Sequence, residues 1–214
     1  GDELVMPGQQ LGDGQIVASN PFGLTGIVRR AGAQPRILPI ARDNALALET
    51  AFELAADADL IVTTGGASVG DHDLVGPVAQ KLGMDQAFYK VAMRPGKPLM
   101  AGTIGNSALL GLPGNPVSSM VCAQIFMEPM IRKMLGLEAT ATPRKTAVLS
   151  EALPANGKRE HYMRAVVTNG QIHAFDRQDS SLLSILSASN ALLVRPINDP
   201  VRQPGETVEY VPLT

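Results

Sequence analysis

The chain has 214 residues, 45% hydrophobic and 18% charged, with a formal charge of −2 at pH 7. That composition supports a substantial buried core and excludes a disordered chain, and the charge balance excludes a generally basic nucleic-acid surface. The single cysteine, Cys122, excludes an internal disulfide, His72, His161 and His173 lack zinc-ligand spacing, and no apolar run is long enough to span a membrane. The opening, GDELVMPGQQLGDGQ, is polar and glycine-rich. Asn20-Pro21 starts a helix with Leu24, Ile27, Val28 and Ala31 on one face and Gly32 as its stop. Arg36–Leu38 is a predicted short strand. Arg42-Asp43-Asn44 caps a second helix, which carries Leu48, Ala51, Phe52 and Ala55 at core spacing.

An apolar run, Leu60 to Val62, then feeds Thr63, Thr64, Gly65 and Gly66, and the stretch closes on Asp71, His72 and Asp73. Val75, Val78, Ala79 and Leu82 follow at helical spacing. The alternation of helix and strand up to this point predicts a parallel sheet with helices on both faces. Such sheets bind ligands at the carboxyl ends of their strands, where Thr63 to Asp73 lies. A strand that stops at glycines and restarts as a helix leaves unpaired backbone N–H groups, which make either an anion site or simply a tight turn. Two acids beside it would repel a bare phosphate, so a metal cation or polar ligand groups belong there as well.

Ala87 to Met93 alternates as a strand and meets Arg94-Pro95-Gly96-Lys97-Pro98. A hairpin around Gly105-Asn106 joins Leu99–Thr103 to Ala108–Leu112. Pro113-Gly114-Asn115-Pro116 leads into a long helix from about Val117 to Leu135, with Asn115 as N-cap, Pro116 at the first helical position, a kink at Pro129 and a stop at Gly136. On spacing alone this motif reads as a turn plus a cap. Cys122, inside the helix, reads as a small core residue. Beyond the linker LEATATPRKT the helical period fades. Ala147–Leu149, Tyr162–Thr168, Gln171–Phe175, Ala191–Arg195 and Thr207–Val211 are predicted strands, Asn169-Gly170 is a two-residue hairpin signal, and Ser181–Ala188 is a short helix or lid. The expected division is therefore an α/β domain over 1–140 and a small all-β barrel domain over 141–214.

Three glycine-rich turns, at Gly65-Gly66, Pro95-Gly96 and Pro113-Gly114, each follow a predicted strand, and neighbouring strands would bring them to one rim. Lys90, Arg94 and Lys97 bring positive charge there, and Glu3, Asp43, Asp71 and Asp73 negative charge. Such a rim suits a phosphorylated ligand with a bridging divalent metal. No Ser-His-Asp or Cys-His arrangement supports covalent catalysis.

At these residues the sequence resembles the MoeA family, the molybdopterin molybdenumtransferases, which include the E domain of gephyrin. The matching segments are GDEL at 1–4, GQIVASN at 14–20, TTGGASVGDHD at 63–73, VAMRPGKP at 91–98 and GLPGNPVS at 111–118. The resemblance implies a three-layer α/β/α domain that binds molybdopterin, followed by a small β-barrel. It implies a transferase that takes adenylylated molybdopterin and molybdate, uses Mg2+ and releases AMP as molybdenum enters the dithiolene. Glu3, Asp43 and Asp73 match acidic residues needed for metal-assisted release of AMP, with Asp43 and Asp73 as metal ligands. Thr64, Gly65, Gly66 and Ser68 match donors to the pterin phosphate. Lys90 and Arg94, with Lys97, match basic residues facing the phosphate and adenylate. Pro113, Gly114, Asn115 and Pro116 match the loop that shapes the molybdate pocket.

Two positions depart from the family pattern: Arg94 stands where many relatives have lysine, and Asn44 replaces a second acid after Asp43. Family members also carry two domains before GDEL and work as homodimers. The chain opens on Gly1 rather than methionine and has no signal peptide, so a piece of a longer, cytoplasmic protein is expected. Its expected partners are small molecules, with no nucleic acid and no membrane. The rival reading is a module that binds molybdopterin or docks proteins without chemistry. A weaker third, a related nucleotide-acting domain, is opposed by RPGKP and GLPGNPVS.

Overall fold

The structure, a computed structural model, describes residues 1–66, 74–138 and 141–213. They gather into two compact units, Gly1–Lys90 with Pro98–Gly114, and Val91–Lys97 with Asn115–Thr214. In chain order the elements begin with β1 (Leu4–Val5), β2 (Ile16–Val17), α1 (Asn20–Arg30), α2 (Ala45–Ala55), β3 (Leu60–Thr64) and α3 (Val75–Lys81). Next come β4 (Asp85–Tyr89), β5 (Met93–Arg94), β6 (Met100–Ile104), β7 (Ser107–Leu112), α4 (Pro116–Cys122) and α5 (Glu128–Met134). The rest are β8 (Lys145–Leu149), β9 (Glu160–Thr168), β10 (Gln171–Ala174), α6 (Leu183–Ser187), β11 (Ala191–Arg195) and β12 (Thr207–Pro212). The protein is mixed α/β, as its sequence pattern predicts.

In the first unit a four-stranded sheet runs in the order β3-β7-β6-β4, with β3 parallel to β7 and the other pairs antiparallel. Phe52 and Ala55 of α2 and Val75, Val78 and Ala79 of α3 share one core with Ile61, Met100 and Leu109 of the sheet. Fully burying a side chain as large as Phe52 or Leu109 contributes about 1.5–3 kcal/mol, so these contacts hold helices too short to stand alone. Asn44 caps α2 as expected: its Oδ1 accepts from the Ala47 N–H at 2.9 Å. The Gly105-Asn106 turn pairs Ile104 with Ser107 and puts Gly105 at φ +57, the backbone that a two-residue hairpin needs.

Several details differ from the sequence expectation, the first being that this sheet is mixed rather than parallel throughout. Arg36–Leu38 joins no strand among the described residues, because Pro35 and Pro39 bracket it and remove ladder donors. Its Arg36 pairs instead with Asp57 and donates to the Leu54 carbonyl at 3.0 Å. The predicted strand over 87–93 divides into β4 and β5, because Lys90 turns left-handed at φ +69. The polar opening also holds a parallel pair, β1 with β2, too short for periodicity to show.

In the second unit five strands close into a barrel, β10-β8-β12-β11-β9, with β9 returning to β10. Closure removes the exposed edges that would invite aggregation. Leu149, Ala165, Ile172, Ala191 and Leu193 fill its interior. Asn169 and Gly170 take φ +50 and +78, the left-handed pair of a type I′ turn. β5 adds in parallel to the start of β9, pairing Arg94 with His161. Beside that end Arg195 Nε donates to Asp199 Oδ2 at 2.5 Å, both side chains buried. Arg195 Nη2 also donates to the Pro154 and Pro200 carbonyls, at 2.9 and 2.8 Å.

The predicted long helix is interrupted. Between α4 and α5 a wide π-turn spans Ala123–Met127, and the Glu128 N–H donates to the Ala123 carbonyl. The widened turn makes room for the ring of Pro129, which has no N–H to give. Gly136, at φ +73, ends α5, and the Leu137 N–H donates back to the Arg132 carbonyl at 3.0 Å.

Candidate functional site

The expected site residues divide between the two units. In the first, parallel pairing sets Thr63 opposite Gly111 and Thr64 opposite Leu112, so the loops after β3 and β7 leave the sheet at the same end. The Gly65 N–H donates to the Leu112 carbonyl at 3.0 Å, carrying the ladder one residue past the strand. Gly65 is left-handed at φ +81, and a Cβ built on Gly114 would lie 3.4 Å from the Gly65 Cα. The left-handed backbone at Gly65 is what disfavours a side chain there, whereas a Cβ at Gly114 would make ordinary van der Waals contact. Asn20, at the start of α1, fixes the second loop by donating from Nδ2 to the Gly114 carbonyl at 2.7 Å. Thr64, Gly65, Gly66, Pro113 and Gly114 are thus brought to one end of the β3–β7 pair.

Lys90 follows β4 in the same unit. Its N–H donates to the Leu99 carbonyl at 2.8 Å, and its ammonium lies 5.1 Å from the centre of the Tyr89 ring. Glu3 and Asp43 lie near each other around residues 1 and 2. The Asp2 N–H donates to Asp43 Oδ2 at 2.9 Å, and a side chain at Gly1 would collide with the Glu3 carboxylate. Ser68 and Asp73, with Asp71 and His72, lie outside the described residues. Among the described residues no three His, Cys, Asp or Glu side chains gather as a metal cage.

The second unit holds Arg94, Lys97, Asn115 and Pro116. The Val91 N–H donates to the Lys97 carbonyl at 3.3 Å, closing the turn that presents the exposed Arg94 and Lys97. Gly96 lies against Cys122, where any side chain would strike the sulfur. Burial pushes that thiol up to about 12, so Cys122 is a core residue. Asn115 precedes α4, but its side chain does not cap the helix; Nδ2 donates to Ser180 Oγ at 3.0 Å instead. The Val117 N–H donates to the Ser180 carbonyl at 3.1 Å, which ties the loop to residues 178–181.

That segment covers a residue the sequence reading missed. Arg164, on β9, is completely buried. Its Nη2 donates to the Asp179 carbonyl at 3.0 Å, while Nε and Nη1 have no hydrogen-bond partner among the described residues. Burial and the charge of Arg94 both press against its positive charge. The Asp179 carboxylate favours the Arg164 charge from a distance but bonds elsewhere, its Oδ1 accepting from the N–H and hydroxyl of Ser181 at 2.8 and 2.7 Å. His161 is also buried, with Nε2 unpartnered among the described residues. Burial first, then Arg94, Arg164, Arg195 and Arg159, pushes its imidazole down to about 4. The available sequence signal for Arg164 was a lone charge inside the apolar run Tyr162–Val167. An arginine so buried, with two donors open among the described residues and the charge of Arg94 acting on it, can receive an anion.

Residues 1–133 match the family described as a probable molybdopterin binding domain, and 146–213 match the MoeA C-terminal region (domain IV). The chain belongs to the MoeA family. Its relatives include the molybdopterin molybdenumtransferase of Nostoc sp., 38% identical across 97% of this chain and 50% of that protein. The Haemophilus influenzae molybdopterin molybdenumtransferase is 34% identical across 99% of this chain and 54% of the relative. The crystal structure of a molybdopterin biosynthesis MoeA protein from Pyrococcus horikoshii superposes with a TM-score of 0.84 at 25% identity, covering 99% of this chain and 52% of that one. The chain spans about half the length of the MoeA relatives it matches.

Proposed function

We propose that this chain is the substrate-binding half of a molybdopterin molybdenumtransferase of molybdenum cofactor biosynthesis. In that reaction molybdate enters adenylylated molybdopterin and AMP leaves. The observation that carries the proposal is Arg164, a buried guanidinium with two open donors beside Arg94. An oxyanion such as molybdate satisfies both the charge and the donors. In the first unit Thr64, Gly65 and Gly66 supply donors to the pterin phosphate, and Lys90 meets its charge. Pro113 and Gly114 hold the neighbouring loop, with Ser68 in the same donor group. In the second unit Arg94 and Lys97 balance adenylate charge, and Asn115 and Pro116 shape the approach to Arg164.

Asp43 and Asp73, with Glu3, are the proposed magnesium-side carboxylates. The donor chemistry fits: Asp43 is an exposed carboxylate with Glu3 close by, and magnesium needs only one or two such oxygens beside water and phosphate. Magnesium, when bound, supplies charge neutralisation at the phosphoanhydride. The family matches over 1–133 and 146–213 support a molybdopterin-binding domain over 1–140 and a barrel domain over 141–214. We extend the proposal to a cytoplasmic, homodimeric full-length protein with small-molecule substrates. No helix among the described residues is long and apolar enough to cross a membrane.

The alternative reading is a module that binds molybdopterin without turnover. Calorimetric titration of the 214-residue chain with molybdopterin, followed by an AMP-release assay with molybdate and magnesium, separates the two. Binding with release supports the enzyme, binding alone supports the module, and no binding refutes both.

A further inference from the structure

We infer that Tyr89 is a positioning residue for Lys90, holding the ammonium over its ring so that the cation is presented in one conformation. The inference rests on the proposed role of Lys90 and deepens it. Adjacent residues of a strand point to opposite faces, so neighbouring side chains do not normally meet. Here the strand ends at Tyr89, and Lys90 turns left-handed at φ +69. That turn brings Lys90 Nζ to 5.1 Å from the centre of the Tyr89 ring, within cation–π range.

Both partners of the contact are anchored. Tyr89 pairs with Met100 across β4 and β6 and packs against the Phe52–Leu109 core. The Lys90 N–H is held by the Leu99 carbonyl at 2.8 Å. A left-handed backbone at a lysine is disfavoured, and a contact that the turn alone permits is a physical use for it. An exposed lysine otherwise samples many rotamers and loses them on binding a ligand. Restraint by the ring lowers that loss and keeps a cation ready for an anionic group.

The test uses the full 214-residue chain with lysines carbon-13 dimethylated, in wild type, Tyr89→Phe, Tyr89→Leu and Lys90→Ala. The Lys90 methyl signal, identified by its disappearance in Lys90→Ala, should be shifted upfield by the ring. It should stay upfield in Tyr89→Phe and return to the exposed-lysine position in Tyr89→Leu. Calorimetry with molybdopterin should give near-wild-type affinity for Tyr89→Phe and a two- to tenfold weaker affinity for Tyr89→Leu. Leucine keeps an apolar side chain at this position, the phenylalanine variant reports loss of the hydroxyl alone, and thermal unfolding of Tyr89→Leu reports any loss due to folding. An unshifted wild-type signal would overturn the inference, as would unchanged or tighter binding by Tyr89→Leu when Lys90→Ala binds more weakly. Equal affinity in all four proteins would instead refute the role of Lys90 itself, and the positioning role with it.

Discussion

Between pH 6.5 and 5, acid should destabilise the barrel chiefly through His161. An ordinary histidine takes its proton near 6.5, whereas buried His161, among Arg94, Arg164, Arg195 and Arg159, takes it only near 4. Between those values the unfolded chain binds a proton that the folded chain refuses, so unfolding gains about 1.4 kcal/mol for each pH unit of acidification. Stability from this group is fully present above pH 6.5, declines below it and levels off below pH 4, when both states are protonated. The total is about 3 kcal/mol, a large share of the roughly 5–15 kcal/mol that holds a domain together. Urea unfolding of the full chain between pH 4 and 8, read from the amide signals of Tyr162 and Leu193, measures it. His161→Gln removes the titration and should flatten the decline between pH 6.5 and 5, where most carboxylates stay ionised. Parallel pH profiles for wild type and variant over that window would refute the reasoning.

Other outcomes follow from single contacts. Asn20→Ala removes the 2.7 Å bond to Gly114 and should cost about 0.5–1.5 kcal/mol in chemical unfolding, with faster hydrogen exchange in the loop after β7. Gly65→Ala places a Cβ at φ +81, which should cost about 1–2 kcal/mol and weaken molybdopterin binding measured by calorimetry. Cys122, with its thiol pushed up to about 12, should resist Ellman's reagent at pH 8 in the native protein and react fully once urea is added.

Local chemistry made much of the fold legible. Asn169-Gly170 demands a left-handed pair, Gly105-Asn106 a tight hairpin and Asn44 a cap, and each residue acts as its own chemistry dictates. The glycines after β3 and β7 were readable because each follows an apolar run, and parallel pairing then brings them together. What escaped the reading depends on contacts distant in sequence. Arg164 sits in a strand whose alternate residues could face water, yet it is completely buried and its Nη2 bonds to the carbonyl of Asp179, 15 residues away. Asn115 occupies a capping position, yet Ser180, 65 residues away, claims its side chain. Arg36–Leu38 had strand composition, but its flanking prolines and the Asp57 partner outweigh that preference. Lys90 turns left-handed, and Met93 and Arg94 beyond it pair with β9, a register that no local spacing shows.

The most direct test of the account is molybdate binding by wild type and Arg164→Met, followed by calorimetry alongside thermal unfolding. Replacing a buried, unsatisfied charge with an apolar side chain of similar length leaves stability unchanged or raises it. An anion-binding arginine therefore predicts at least tenfold weaker molybdate binding by a variant that unfolds no earlier than wild type. Unchanged molybdate binding by Arg164→Met would contradict the account, as would wild-type protein that binds no molybdate.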